Sequence, residues 1–412
     1  MLSAEIIAIG SELLTPDKTD TNSLWLTREL NDIGIEVMLK TVVGDDGARL
    51  EEAVRDALGR SNVVITTGGL GPTEDDITRQ FTASAIGRKL VYHDDIEANL
   101  RERFKAWGRE MPEINKRQAY VIDGADILPN PNGSAVGMMA DLDGKILAIL
   151  PGPPRENQAM FTEHVFPKLK SIAGEVYVKR RILRVSGLGE SAVDEIAAPI
   201  YTSYNDVQTS ILFNKSEVEI HVAAHSDNAD TAKVTADQLA DELAAALGKA
   251  VFSTNGDTME QVVGSLLKQR GESLSVAESC TGGLIGQRLT DVPGSSAYFL
   301  EGAITYSNEA KMRTLGVSEE ILEQHGAVSA ECAEAMAAGM RKYSGTDHAI
   351  SITGIAGPDG GSDEKPVGTV FIGYAGANIV KSAKIVLPGD RYLIRWRSSQ
   401  AALDYLRRQL SK

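Results

Sequence analysis

Cysteine is nearly absent from this 412-residue chain: only Cys280 and Cys332 are present, beside six histidines. Two cysteines cannot build a disulfide framework, and their spacing matches no zinc motif. A reducing, cytoplasmic setting is therefore expected. No stretch approaches the roughly 18 consecutive apolar residues that a membrane helix needs, so no membrane partner is expected. The start, MLSAEIIAIGSELL, has no basic leader and reads as a strand running into Gly10, so no signal peptide is expected. Positive charge is also short: 42 Lys and Arg face 57 Asp and Glu, for a formal net charge of -15. That balance argues against general nucleic-acid binding, which needs a basic surface to displace counterions. It leaves room for a small anionic ligand, because a few local cations and backbone N–H groups suffice to hold a phosphate. Repeats and low-complexity tracts are missing as well.

The length predicts two or three domains. Over residues 1–168 strand-like and helix-like patterns alternate. AEIIAIG is a strand, Asp20 caps a helix that Gly34 ends, and IEVMLKTVVG is a second strand. Asp46 opens another helix, and SNVVITTGG is a strand running into a glycine loop, followed by a helix from about Ile77 to Ile86. This alternation predicts an α/β domain with a parallel sheet, helices on both faces, and ligands at the C-terminal strand ends. Residues 169–255 read as a small α+β segment, with VYVKRRILRVSG and VEIHVAAH as strands and Glu190–Ile196 and Ala229–Leu247 as helices. From residue 256 to 412 the α/β alternation returns and closes on a helix over residues 391–410.

In the last third, Ser279 ends an apolar strand directly before Cys280-Thr281-Gly282-Gly283. A strand, sharp turn and helix place a hydroxyl beside backbone N–H groups able to stabilise an oxyanion. The glycines permit close backbone approach to a ligand. A plain helix cap is the structural alternative for Ser279. A serine nucleophile needs a base. His325 and His348 lie in this region, at a helix end and a strand start. Lys311, in TYSNEAK, is the better candidate, since desolvation can lower a lysine's pKa; Tyr306 could relay or orient the proton. Left to itself, Lys311 would be a solvated helix residue. Cys280 competes as nucleophile, or is a buried small hydrophobe. GIAGPDGGS, residues 354–362, could wrap phosphate or ribose, and Arg391 or Arg395, at the start of the last helix, could meet a phosphate or form surface ion pairs.

AESCTGG, TYSNEAK, GAVS, SITGIAGPDGGS, KPVGTV and PGDR occur in this order. Together they closely resemble the C-terminal domain of the CinA (competence/damage-inducible) family. The resemblance implies an α/β deamidase domain that hydrolyses the carboxamide of nicotinamide mononucleotide to nicotinate mononucleotide and ammonia, without a cofactor. It implies Ser279 as nucleophile, with Tyr306 and Lys311 as its activating partners. Substrate contacts are expected from Thr281, Gly282, Gly283, Gly354, Gly357, Gly360, Gly361 and Arg391, with the N–H groups of 281–283 as oxyanion donors.

TTGGLGPTEDDIT, residues 66–78, is a glycine loop between a strand and a helix, suited to phosphate or pterin. Glu74, Asp75 and Asp76 beside it suit a divalent cation, or else complement a helix dipole. Asp20 and Asn22 in TDTNS are good caps, and NPNGSAVG at 130–137 reads as a turn between strands. With GSELL, NKRQA and LPGPPRE, these segments resemble the molybdopterin-binding-like, three-layer α/β domain of the same family. That resemblance implies hydrolysis of ADP-ribose to AMP and ribose 5-phosphate with Mg, Mn or Co. It places Asp20, Asn22, Asp45, Gly68, Gly69, Gly71, Asn130 and Gly133 at the site, with Asp75 and Asp76 as metal ligands. Pro16 and Val136 depart from the family pattern. The middle segment resembles the family's KH-like connector, without the G-x-x-G loop that RNA binding requires. Three readings follow. One is a bifunctional pyridine-nucleotide recycling enzyme. Another is a deamidase carrying a non-catalytic pterin- or nucleotide-binding N-domain. The last is a non-enzymatic adaptor in DNA uptake or damage response. A homodimer is the expected assembly.

Overall fold

The computed structural model describes residues 2–411. The chain divides into two compact units, residues 1–179 with 225–233, and 180–224 with 234–412.

The first unit contains β1 (Ser3–Ile9), α1 (Thr21–Asp32), β2 (Glu36–Val43), α2 (Gly47–Arg60), β3 (Val63–Thr67), α3 (Thr78–Ala85), β4 (Leu90–Tyr92) and α4 (Asp94–Ala106). It continues with β5 (Tyr120–Ile122), β6 (Asp126–Leu128), β7 (Gly137–Leu142), β8 (Lys145–Leu150), α5 (Pro154–Met160) and α6 (Phe166–Ala173). Six strands form one sheet in the order β2-β1-β3-β8-β7-β6. Strands β1, β3 and β8 bury nearly every residue, which requires cover on both faces. One face packs Leu50, Val54, Ala83 and Leu100 against Ile7 and Val64, and the other packs Leu26, Leu30, Phe161 and Leu169 against Ile6 and Ile65. The result is a three-layer α/β domain. The sheet is mixed rather than parallel throughout, because β7 runs antiparallel to β8 and β6 antiparallel to β7. The cause is local: Asp143-Gly144, with φ of 54 and 88, makes a two-residue hairpin of the kind that matches strand twist. Helix α4 and the small β4–β5 ribbon have no counterpart in the sequence reading.

Next come β9 (Tyr177–Ser186), α7 (Glu190–Tyr201), β10 (Val207–Asn214), β11 (Glu217–Ser226), α8 (Ala229–Leu247) and β12 (Val251–Ser253), giving a four-stranded sheet in the order β10-β11-β9-β12. This is the α+β connector. Within it Arg181 bonds Asp237, and Arg184 bonds Glu217.

The remainder comprises α9 (Met259–Arg270), β13 (Leu274–Glu278), α10 (Leu284–Thr290), β14 (Phe299–Ile304), α11 (Asn308–Leu315), α12 (Glu319–Gln324), α13 (Ala330–Ser344), β15 (His348–Gly354), β16 (Thr369–Gly376), β17 (Ile379–Val386) and α14 (Arg391–Leu410). The sheet order is β14-β13-β15-β16-β17. Strands β14, β13 and β15 are parallel, and β16 and β17 are antiparallel. One face is covered by residues such as Val263, Ile285, Ile394 and Leu403, and the other by Leu315, Met336 and Met340. The parallel strands leave their C-terminal ends, at Glu278, Ile304 and Gly354, along one edge, where α/β sheets hold ligands.

Candidate active site

Ser279 follows the last residue of β13, and Lys311 lies on α11, the helix that returns from the neighbouring strand β14. Ser307 caps α11 by accepting from the Ala310 N–H, which fixes where the helix starts and so where Lys311 falls. The side chain of Lys311 is 1% exposed, so it is not a solvated helix residue. Its Nζ lies 3.2 Å from Ser279 Oγ, 2.9 Å from the Thr305 carbonyl and 3.3 Å from the Tyr306 carbonyl. None of these acceptors is charged. Burial lowers the Lys311 pKa below its usual 10.5. A lysine held this way, against a serine hydroxyl, has the geometry of a general base.

The competing bases are placed elsewhere. His348 begins β15 and is level with Leu274, five residues from Ser279, or about 16 Å along the strand. Its ring bonds Tyr374 and Glu272. His325 faces Glu331 at 3.7 Å. The rival nucleophile Cys280 is buried, which pushes its thiol up to about 12 and keeps it protonated.

Tyr306 is at the site by its backbone. Its carbonyl accepts from Lys311, whereas its hydroxyl accepts from Arg391 Nη2 at 3.2 Å and makes no hydrogen bond to Ser279 or Lys311. Arg391 also donates to the Gly357 carbonyl at 2.7 Å, joining the glycine loop to Tyr306. Arg395 donates through Nε and Nη2 to the Thr281 carbonyl, at 3.2 and 2.6 Å. In the loop, Gly354 and Gly361 are required by packing, since a Cβ would fall 2.7 Å from the Thr369 carbonyl and 2.9 Å from the Val367 nitrogen. Gly357 and Gly360 have φ of 76 and 88.

A residue absent from the sequence reading stands directly before the nucleophile. Glu278 is 1% exposed, and its carboxylate accepts from the N–H groups of Gly283, Ile285 and Gly286 at 3.0, 3.1 and 2.8 Å. Gly282 N–H donates to the Ser279 carbonyl at 3.1 Å. Two of the expected oxyanion donors, Gly282 and Gly283, are therefore already bonded. The glutamate was visible in AESCTGG, but nothing in its spacing reveals where its carboxylate turns.

In the first unit, Asp20 caps α1 by accepting from Ser23 N–H, and Asn22 Nδ2 donates to Thr67 Oγ1 and the Gly152 carbonyl. Asn157, also unanticipated, donates to the same Thr67 oxygen at 2.9 Å. Gly68 and Gly69 have φ of 112 and 64, and a Cβ on Gly68 would fall 2.1 Å from the Ile9 carbonyl. The glycine loop thus lies at the C-terminal ends of β1 and β3. Asp45 accepts from Ser11 N–H at 3.1 Å. Asn130 bonds the Ala135 carbonyl and Glu156, and Gly133 is so close to the Glu156 carboxylate that a Cβ would collide with it.

The acidic run does not fit a resident divalent ion. Asp76 directs both oxygens at its own loop, accepting from Gly71 N–H at 2.7 Å and from Thr73 N–H and hydroxyl at 2.8 and 2.6 Å. Glu74 is paired with Arg117, and Asp75 is exposed. Among the described residues no group of three or more His, Cys, Asp or Glu could hold a metal ion. Also among them, no helix is long and apolar enough to cross a membrane.

Fold and site together define a multidomain α/β protein with a molybdopterin-binding-like first domain, a KH-like connector and a last domain bearing a buried serine–lysine contact. Residues 5–171 match the probable molybdopterin binding domain, 180–253 the damage-inducible protein CinA KH domain, and 256–410 the CinA C-terminal domain. A CinA-like protein of Solibacter usitatus is 47% identical over 410 residues, spanning 100% of this chain and 99% of that one. A CinA-like protein of Koribacter versatilis is 48% identical over 414 residues, spanning 99% of each. The crystal structure of competence/damage inducible protein CihA from Agrobacterium tumefaciens is 40% identical, covering 37% of this chain and 94% of that one, with a TM-score of 0.36. The chain belongs to the CinA family.

Proposed function

We propose that the C-terminal domain is an amidohydrolase that converts nicotinamide mononucleotide to nicotinate mononucleotide and ammonia. The observation that carries this reading is the buried Lys311 amine 3.2 Å from the Ser279 hydroxyl, whose three acceptors, that hydroxyl and the Thr305 and Tyr306 carbonyls, are all uncharged. Neutral Lys311 takes the Ser279 proton as the oxygen attacks the carboxamide carbon. The lysine then returns that proton to the departing ammonia, leaving an ester on Ser279. Water, deprotonated by the same lysine, attacks the ester and releases the carboxylate and the serine. These steps need no cofactor. Arg391 and the glycine loop around Gly357 and Gly360 suit the phosphate and ribose. The test is product analysis: the wild type should form nicotinate mononucleotide and Ser279→Ala should form none. Turnover by the Ser279→Ala protein would remove the assignment.

For the N-terminal domain we propose a nucleotide site at Asn22, the Gly68–Gly71 loop and Asn130, with ADP-ribose as substrate, cleaved to AMP and ribose 5-phosphate. Any Mg, Mn or Co would have to arrive with the substrate's pyrophosphate. A second reading is favoured by the loop bonds of Asp76 and by the molybdopterin-binding match: this domain binds a pterin or nucleotide without cleaving it. The full chain carrying Ser279→Ala, given ADP-ribose with each divalent ion in turn, separates them. AMP formation supports the hydrolase, and its absence with every ion supports the binding domain. A net charge of -15 weighs against a DNA-uptake adaptor. A cytoplasmic homodimer acting on small nucleotides is the assembly we propose.

A further inference from the structure

Helix α10 directly follows the nucleophile's turn, and the first N–H groups of any helix lack partners within it. Such a terminus beside a nucleophile would ordinarily be the place for an oxyanion. Here it is occupied. The Glu278 carboxylate takes the N–H groups of Gly283, Ile285 and Gly286 within 2.8–3.1 Å, and it does so at 1% exposure. A buried carboxylate is costly unless it is bonded, and Glu278 has no Arg or Lys partner among the described residues. Its three bonds to the helix start are what hold it. An anion forming on the substrate would meet this carboxylate, not free donors, if it approached α10.

The donors left over lie inside the turn. The N–H groups of Cys280 and Thr281 donate to no protein oxygen among the described residues. The peptide that follows Thr281 is pinned from the other side, where Arg395 grips the Thr281 carbonyl. The Thr281 hydroxyl is buried and has no partner among the described residues, which supplies one more polar group at the same place. Gly282 and Gly283, with φ of 62 and 96, let the chain turn sharply enough to bring residue 283 back onto residue 278. Glu278 thus closes a ring around residues 279–282.

We propose that Glu278 is a positioning residue for the deamidation: by tying residues 283–286 to the end of β13 it shapes the nucleophile's turn, so that the N–H groups of Cys280 and Thr281 receive the oxyanion and α10 does not. The proposal rests on the serine–lysine reading above. Glu278→Gln keeps the size of the side chain but turns an NH2 group against N–H donors, so the ring loosens while Ser279 and Lys311 remain. The expected result with the full chain is a kcat for nicotinamide mononucleotide reduced about 10- to 100-fold, with KM within about twofold and the acidic limb of the pH profile unmoved. Labelling of Ser279 by a fluorophosphonate, which needs the same oxyanion donors but not the nucleotide, should slow by a similar factor. Glu278→Asp, which keeps the charge with a shorter reach, should fall between the two and serves if the glutamine variant does not fold. A folded Glu278→Gln with wild-type kcat and labelling rate overturns the proposal. So does a loss in which KM, the pH limb and thermal stability all move together, since that is the signature of general disruption. A wild type that labels but does not turn over the nucleotide overturns the substrate reading alone, and the labelling rates still decide the role of Glu278. A wild type inert to both overturns the serine–lysine reading and this proposal with it.

Discussion

Gly339 lies in α13 facing the end of α11, and a Cβ added there would fall 1.9 Å from the Leu315 carbonyl oxygen and 2.8 Å from its carbon. Leu315 is the last residue of α11, and Lys311 stands one turn before it. Real Cβ contacts do not close below 3.0 Å, so Gly339→Ala must part the two helices by at least the 1.1 Å between 1.9 and 3.0. Alanine's better helix propensity is worth up to ~1 kcal/mol, whereas overpacking against backbone costs about 1–3 kcal/mol. The clash wins, and the protein should lose on the order of 1–2 kcal/mol, read as a lower urea midpoint at unchanged slope. The functional effect should be larger. A shift of that size takes the 3.2 Å contact between Lys311 and Ser279 out of hydrogen-bond range. Misplacement by about 1 Å can cost ~100-fold in rate. The assay is kcat for ammonia release under conditions where unfolding curves show the variant fully folded. A folded Gly339→Ala with wild-type kcat would refute the argument that α13 sets the position of Lys311.

Other outcomes follow from the same structure. Because burial lowers the Lys311 pKa, activity should rise with pH through that lowered value and level off before 10.5, and a limb that survives in Lys311→Ala would assign the titration to another group. The sign for stability is the same: the folded state binds this proton less tightly than the unfolded chain, so the destabilisation is complete below the folded pKa and vanishes above the unfolded one. Lys311→Met should flatten that part of the stability-versus-pH curve. Cys280, held as a thiol with its pKa at about 12, should resist alkylation in the native protein at pH 8, and rapid labelling of the folded protein would contradict its burial. Arg79 is buried, which brings its pKa down to about 10, and it donates to the Leu70 and Gly71 carbonyls at 2.7 and 2.6 Å. Arg79→Ala leaves both carbonyls without that donor and should cost about 2–5 kcal/mol, measured by thermal or urea unfolding.

The legible parts of this chain were those written in local chemistry. Asp20 and Asp46 each accept from an N–H three residues on, so the starts of α1 and α2 stand where their caps put them. The all-apolar runs around Ile65, Val276 and Ile350 were buried strands, as continuous hydrophobicity requires. Strand direction was less legible. Asp143-Gly144 encodes a hairpin, yet in a chain of alternating helices and strands the pattern pointed to one parallel sheet. At the site, Ser279 and Lys311 are 32 residues apart, and only the parallel pairing of β13 with β14 brings them together. Periodicity treats Lys311 as a surface residue because it registers spacing, not which neighbour fills the space above a side chain. Glu278 and Asp76 were hidden for the opposite reason. Each looks like free chemistry in the sequence, and each is bonded to nearby backbone N–H groups, those of Gly283, Ile285 and Gly286 for Glu278 and those of Gly71 and Thr73 for Asp76.

The most direct test of the central claim is ammonia release from nicotinamide mononucleotide by the wild type and by Lys311→Ala, with folding of both checked by circular dichroism. The account predicts release by the wild type and loss of at least about 100-fold in the variant, the usual contribution of a general base. A folded Lys311→Ala protein that releases ammonia at the wild-type rate would contradict it.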